Sequence, residues 1–560
     1  MSDIMKYLFS FFQLLFKYKT MILLSICLYT IVIISHIGLL SLSGWFISAT
    51  ALAYFFIIDA RQFNYLSPAT GIRFLALIRT IGRWFEKVIG HQITLRFLSE
   101  IRVLIFSKLV QLNKMDLAKY TKGELLNILI NDINILDNLY LRCFLPFICF
   151  ILSVVLLSVL VGYYDIYLGM TFFLFYGIFM MMLPVFFFYI SKKNSMYLSD
   201  TIHHLRHVII EYVSELTSLL VFNKYMEKKN NILLIEKKMN QLQKKINIYT
   251  SSVYAMVSLF NGALICGVIY FFWSAIGQHK PPESLLAAVV LGLFAMNELL
   301  TQLSVITIYL GYMMTSAKRL DSILSFPTQE NNKSKEIILE QVYNLKIENL
   351  YFNYNNNREV LSDINIVIQR GEKVAVLGNI GAGKSTLLDC ISGELPIRQG
   401  QIFLNNIDLA YFNQQELKKY ICYIEQKVHI FNETLKENIR IANSQATDVQ
   451  ITQALKIVKL DYLLFENDGL EQKLGENGRE LSGGEKRKIS LVRAILHNAP
   501  VLLLDEPTEG LDENTEFQVM SEILKLDSTK IIIYITHKLT CIDLMDRVFY
   551  LRDGLLIKSE

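Results

Sequence analysis

Eight residues, Gly378-Asn379-Ile380-Gly381-Ala382-Gly383-Lys384-Ser385, follow the apolar run KVAVL and open a helical run that begins at Thr386. The glycines let consecutive backbone N–H groups curl around an anion, and the helix start behind them adds its positive dipole end, so the spacing predicts a phosphate cradle. In it Lys384 is placed to neutralise the β- and γ-phosphates and the Ser385 hydroxyl to ligate Mg²⁺. A second apolar run, Val501-Leu502-Leu503-Leu504, ends in Asp505 and Glu506. The first carboxylate suits Mg²⁺ and the second can polarise an attacking water. The Asp-Glu pair alone would be an ordinary strand end, but beside the phosphate loop it becomes a strong signal for Mg²⁺-dependent nucleotide hydrolysis.

A different constellation lies in the apolar N-terminal half. Arg79, Arg83, Lys87 and His91 recur every four residues, which predicts a cationic stripe on one helix face. Even the milder insertion scales charge about 2.5–3.5 kcal/mol for each Arg or Lys at a bilayer centre. Glu86, three residues from Arg83, can balance only one of them. The stripe is therefore expected to line a hydrated cavity in which Arg83 and Lys87 attract anionic cargo; the plainer reading, in which Glu86 neutralises Arg83 and the far end snorkels, stays open.

The elements that must hold these groups divide between two solvents. Of 560 residues only 19% are charged, against about 25% in soluble proteins, while 52% are hydrophobic and 12% aromatic, with a mean hydropathy of +0.35. Disorder and a wholly soluble chain are excluded. The net charge of +4 gives no case for nucleic acid, and seven scattered cysteines without a CxxC pair give none for a disulfide framework or zinc site. Apolar runs predict six membrane spans near 20–50, 66–90, 139–161, 166–190, 252–275 and 284–310. Residues 4–17 read as an amphipathic helix at the membrane surface. The basic segments 92–138 and 191–249 read as cytoplasmic extensions of the spans, each turned around by a short helix, which places both termini in the cytoplasm. The opposite connections, with Arg61, Tyr163–Asp165 and Lys280, carry little charge. Residues 327–340 read as a linker, after which short strands alternate with helices around a largely parallel sheet.

Around the two phosphate motifs the chain resembles the ATP-binding cassette family. Leu481-Ser482-Gly483-Gly484-Glu485 is similar to its signature sequence, with glutamate where glutamine is common at the last position. The resemblance implies that Gln426 is the Q-loop ligand of Mg²⁺, Leu511-Asp512 the D-loop, His537 the switch histidine and Tyr354 the aromatic that stacks on adenine. It also implies that Ser482, Gly483 and Gly484 close over ATP held by an opposite cassette, so that one chain is half of a pair. Glu509-Gly510-Leu511-Asp512 departs from the SerAlaLeuAsp of many members. The fold class implied is a multi-domain membrane protein: an all-α exporter domain of six membrane helices (1–326), the linker (327–340), and an α/β P-loop ATP-binding cassette domain (341–560).

The membrane half resembles the CydC-type half-transporters. The run Gly38-Leu39-Leu40-Ser41-Leu42-Ser43-Gly44-Trp45-Phe46-Ile47-Ser48-Ala49 is similar to their first-helix signature, and the stretches 79–91, 120–142, GENGRELSGGEKRK and DEPTEGLD add to the match. What this implies is ATP-driven export of cysteine and glutathione across a bacterial inner membrane to the periplasm, in a heterodimer with a CydD-type subunit and in support of cytochrome bd assembly. Haem is linked to the family as ligand or cargo, with His91 the implied contact. Export of haem, or of a lipid or drug, and a haem-binding regulatory role are the alternatives. The small residues Ser41, Ser43, Gly44 and Ser48 are also those that let membrane helices approach closely.

Overall fold

The computed structural model describes residues 2–55, 63–163, 166–276, 284–326, 337–354, 359–397, 400–465, 468–475 and 478–558. Arg61, Asp165, Lys280 and residues 327–336 of the expected linker lie outside these. Two compact units emerge: Met1–Leu112 with Lys119–Phe326, and Asn113–Ala118 with Pro327–Glu560.

The first unit is helical throughout. Its long helices are α1 (Ser2–Phe16), α2 (Lys19–Phe55), α3 (Leu66–Val110), α4 (Leu145–Gly162), α5 (Ile166–Ser214), α6 (Tyr225–Ile276) and α7 (Leu285–Leu324). Among the described residues four segments are long and apolar enough to cross a membrane: Lys19–Tyr54, Lys122–Gly162, Tyr225–Phe271 and Leu285–Leu303. The charges of α3 keep it below that threshold, as its sequence foreshadows. Helix α1 buries Phe11 and Leu15 and sets Phe12 5.9 Å from the Phe144 ring, so its apolar face packs on protein as well as being amphipathic.

The first-helix run packs α2 against α7. A Cβ at Gly44 would stand 2.4 Å from the Ala287 carbonyl oxygen, so close backbone approach requires that glycine, while one at Gly292 would stand 2.6 Å from the Ser41 hydroxyl, which would have to turn aside. Ser48 Oγ completes the seam by donating to the Ser284 carbonyl at 2.8 Å.

The extensions turn around at Lys114–Leu117 and Leu216–Val221. The first turn starts from Asn113, whose side chain accepts the Asp116 N–H at 2.8 Å, and packs with the second unit rather than with the helices on either side of it in sequence. Past it, Ile128–Asp132 forms a π-helical turn that buries Asp132 completely. Ser316 of α7 donates to Asp132 at 2.7 Å, Arg319 approaches it at 3.4 Å and His203 of α5 at 3.6 Å. One buried carboxylate thus ties three elements together.

The second unit is an α/β domain. Strands β3 (Lys373–Leu377), β6 (Ile421–Ile424), β7 (Val501–Asp505), β8 (Ile531–Ile535) and β9 (Arg547–Arg552) run parallel in the order β9-β3-β8-β7-β6, and β10 (Leu555–Lys558) adds antiparallel to β9. An antiparallel sheet of β1 (Asn344–Asn353), β2 (Glu359–Gln369), β4 (Ile402–Leu404) and β5 (Ile407–Asp408) has the order β2-β1-β4-β5. Every residue of β7 and β8 is buried, which is why they read as unbroken apolar runs. Helices α8 (Lys384–Ile391), α9 (Gly483–His497) and α10 (Glu513–Leu526) matter below.

Candidate functional site

The phosphate loop joins the end of β3 to the start of α8. Gly383 takes φ +101° at the α8 N-terminus, and a Cβ there would meet the Val360 carbonyl at 3.0 Å, so a side chain is excluded by both conformation and space. Lys384 is 7% exposed and donates to the Gly378 and Asn379 carbonyls at 2.6 and 3.2 Å, folding its ammonium over the mouth of the loop. Ile380 lies at the exposed tip with Gly381 (φ +84°) and Ala382 behind it. Tyr354 reaches the loop through its hydroxyl, 3.3 Å from Thr386 Oγ1, and stands edge-on to Phe352 at 5.0 Å with its ring partly open to receive a flat base.

Asp505 and Glu506 end β7 beside that loop. Asp505 is 3% exposed and accepts the Ser385 hydroxyl. Burial pushes its carboxyl above the usual range, the Ser385 bond opposes the shift, and neighbouring Glu506 adds to it. A buried carboxylate pressed against a hydroxyl fits a divalent cation, and Ser385, Asp505 and the amide oxygen of Gln426 are the groups that would hold Mg²⁺. Held there, Mg²⁺ would supply positive charge to offset the negative charge that develops on the transferred phosphoryl group.

Glu506 adopts φ +48°, the left-handed region disfavoured for a side-chain-bearing residue, and its N–H donates to the Ile535 carbonyl at 3.0 Å. That turn aims the carboxylate where Gln426 Nε2 donates to one oxygen at 3.0 Å and His537 Nδ1 lies 3.2 Å from the other. All three groups that the sequence assigned to catalysis therefore meet at one carboxylate. It can orient a water and accept its proton, with Gln426 and His537 each holding one of its oxygens.

The signature segment starts α9. Ser482 caps the helix by accepting the Glu485 N–H at 3.3 Å, and Glu485 returns a carboxylate oxygen to the Ser482 N–H at 2.8 Å. Glutamate and glutamine both close this box, which explains the tolerated departure at position 485. Burial raises the Glu485 carboxyl, but hydrogen bonds from Tyr462 and Ser482 and the charge of Arg479 outweigh it and hold the group below the usual range. Gly483 and Gly484 leave the α9 N-terminus free of side chains.

Residues that the motif reading passed over hold these loops. Arg487 of α9 pairs with Glu509 at 2.5 Å and also donates to its carbonyl, so the GluGlyLeuAsp departure is a clamp between the signature helix and the D-loop. Glu516 of α10, fully buried, accepts Thr508 at 2.8 Å, Tyr534 at 3.1 Å and Lys538 at 2.9 Å. Thr508 lies two residues after Glu506 and Lys538 one after His537, so a single carboxylate anchors both catalytic loops. In sequence Glu516 looks like any solvated helical glutamate, and its partner Lys538, 22 residues on, gives no signal of the pairing. Lys114, carried by the first turn, contacts Asp389 at 2.8 Å and Glu425 at 3.1 Å, next to Gln426. Burial opposes the charge on Lys114, but these two carboxylates prevail and hold its ammonium above the ordinary lysine range.

The cationic stripe divides. Four residues advance a helix by about 40° beyond a full turn, so over the twelve from Arg79 to His91 the face drifts by roughly 120°. Arg83 turns toward α7 and pairs with Glu298 at 2.5 Å, so its neutralising partner is Glu298 and not Glu86, which is buried beside it. Lys87 and His91 are exposed on another azimuth, where Trp84, Val88, Leu95 and Arg96 of the same helix join them on an open surface.

The comparisons agree with both units. Residues 361–509 match the family model described as ABC transporter. The chain is 33% identical over 551 residues to the glutathione/L-cysteine transport system ATP-binding/permease protein CydC of Haemophilus influenzae, covering 97% of this chain and 95% of that one. The CydC protein of Escherichia coli is 31% identical over 559 residues, covering 99% and 96%. The CydD protein of Bacillus subtilis is 28% identical over 493 residues, covering 87% and 85%. With the ATP site assembled and the likeness running the length of the membrane helices, the chain belongs to the ABC transporters, among the CydC-type ATP-binding/permease proteins.

Proposed function

We propose that this chain is one half of a heterodimeric exporter that uses ATP hydrolysis to move cysteine and glutathione from the cytoplasm to the periplasm of a bacterial inner membrane, with a CydD-type subunit as the other half. Both termini are cytoplasmic, and the thiols supplied outside support cytochrome bd assembly. The observation that carries this reading is the extent of the likeness: proteins named for glutathione and L-cysteine transport match 97–99% of the chain, membrane helices included, and not the cassette alone. The intramembrane charges on α3 support it, because a small zwitterionic or anionic cargo needs a polar path whereas a lipid does not. The open Ser482-Gly483-Gly484 helix start supports pairing, since it offers a second phosphate cradle to a neighbouring cassette.

The test is ATP hydrolysis by the chain reconstituted with its partner in lipid, with cysteine, glutathione or haem added, together with thiol uptake into inverted vesicles. Stimulation and uptake with either thiol are expected; stimulation by haem alone, or by lipid alone, would overturn the thiol reading. A haem reading has one specific support, the exposed His91 with Lys87 and Trp84 beside it on the open face of α3. It predicts a Soret band in the purified protein that disappears in His91→Ala.

A further inference from the structure

Glycines bring α2 close to α3 near Val32 and, nine to twelve residues further along α2, close to α7. A Cβ at Gly82 of α3 would lie 2.9 Å from the Val32 side chain of α2, and Gly44 and Gly292 do the same service between α2 and α7. Between these contacts each helix contributes a polar group: His36 of α2, four residues after Val32, Arg83 of α3, next to Gly82, and Glu298 of α7, six residues after Gly292. One Glu298 oxygen takes Arg83 Nη2 at 2.5 Å, and the other lies 3.5 Å from His36 Nε2. Nearby, the Tyr29 hydroxyl donates to Gln302 at 2.7 Å.

Within this chain the pair is not sealed. The Arg83 and Glu298 side chains keep 42% and 39% of their surface, whereas a structural ion pair among membrane helices is normally enclosed. An open pair cannot face hydrocarbon, so its outer side faces water or the partner half. The arrangement presents a cation and an anion side by side at hydrogen-bond separation. An α-amino acid presents the complementary set, a carboxylate beside an ammonium. On entering, it replaces one internal ion pair with two external ones, so the resting pair keeps each charge compensated until cargo arrives.

The geometry points to Arg83 and Glu298 as the recognition site for the α-amino-acid end of the cargo. Arg83 receives the carboxylate, Glu298 the ammonium, and His36 steers the Glu298 carboxylate from behind. The thiol makes no contribution to this contact. This rests on the thiol-export reading but goes beyond it, because it requires the amino and carboxyl groups to be read separately and by different helices.

The experiment measures half-stimulating concentrations for ATP hydrolysis by the reconstituted pair with L-cysteine, with cysteamine, which lacks the carboxylate, and with 3-mercaptopropionate, which lacks the ammonium. Each missing charge is expected to weaken the wild type about tenfold, the scale of one charge-assisted hydrogen bond. In Glu298→Gln the preference for cysteine over 3-mercaptopropionate should vanish while that over cysteamine persists; Arg83→Gln should show the reverse. Glu298→Asp, which keeps the charge, should restore ammonium preference and guards against misreading a folding defect. Wild-type stimulation by cysteine with unchanged preferences in both variants overturns the site alone. A wild type that no thiol stimulates overturns the export reading and this site with it.

Discussion

Replacing Glu516 by Gln tests whether one buried carboxylate holds the catalytic loops. Its Oε1 accepts Thr508 and Tyr534, and a glutamine oxygen can keep both bonds; its Oε2 accepts Lys538, and there the variant sets an amide NH₂ against an ammonium. The loss is one charge-assisted hydrogen bond, about 1.5–3 kcal/mol for a buried pair. Lys538 is about a quarter exposed, so water recovers part and the lower end applies. That corresponds to roughly a tenfold shift against the geometry that presents His537 to Glu506. Steady-state ATPase activity of the reconstituted pair should fall about tenfold, while nucleotide affinity, set by the phosphate loop, should change less than about twofold. The cassette's unfolding midpoint should drop by about 3–6 °C. Adding Lys538→Met should recover part of the midpoint, since the stranded ammonium is removed. Turnover within twofold of wild type, or an equal loss of nucleotide affinity, would refute the reasoning.

Glu506→Gln should retain ATP binding and cut turnover about 10²-fold or more, measured as single-turnover hydrolysis against nucleotide affinity, and Lys384→Ala should weaken binding itself. Glu485→Gln preserves the capping box but gives up the charge paired with Arg479, so it should cost measurably less than Glu485→Ala, which loses both and should cost about 0.5–2 kcal/mol or more by denaturant titration. Burial and the charge of Arg319, against Asp132, push His203 below its ordinary value, with Arg206 lowering and Asp200 raising it further out. Its folded form therefore resists a proton that the unfolded form accepts, so the membrane unit's thermal midpoint should be flat above about pH 6.5 and decline below it. In His203→Gln that acid-side slope should be shallower; an identical slope would exclude His203 as its source.

What the sequence made legible was local. The phosphate loop, the Asp505-Glu506 pair and the signature each occupy a few consecutive residues, and their backbone requirements are written in glycines and caps. Gln426 and His537 could be placed by order along the chain, but their convergence on Glu506 depends on the parallel order of β6, β7 and β8. The partner of Arg83 was not legible, because Glu298 lies 215 residues away and no periodicity connects α3 with α7. The stripe itself misled for a geometric reason: a four-residue repeat does not match the 3.6-residue helix, so what starts on one face ends on another. The association of Asn113–Ala118 with the cassette unit was equally hidden, since a six-residue turn carries no pattern that names what it packs on.

The seam between α2 and α7 sets an order of events during synthesis. Ser48 and Ser284 are 236 residues apart, and at about 5–20 residues per second the ribosome needs roughly 12–47 seconds to deliver the second after the first. Throughout that interval Gly44 has no backbone to meet, and Arg83 must enter the bilayer region without Glu298. On the proposed topology, α3 is thus the segment least able to stay inserted alone, and the last long helix of the membrane unit to emerge is the one that makes its charge tolerable. A ribosome stalled before α7 would leave a chain with an uncompensated arginine among lipids, a substrate suited to membrane proteases, so quality control of this protein is expected to act on the final helix of the membrane unit.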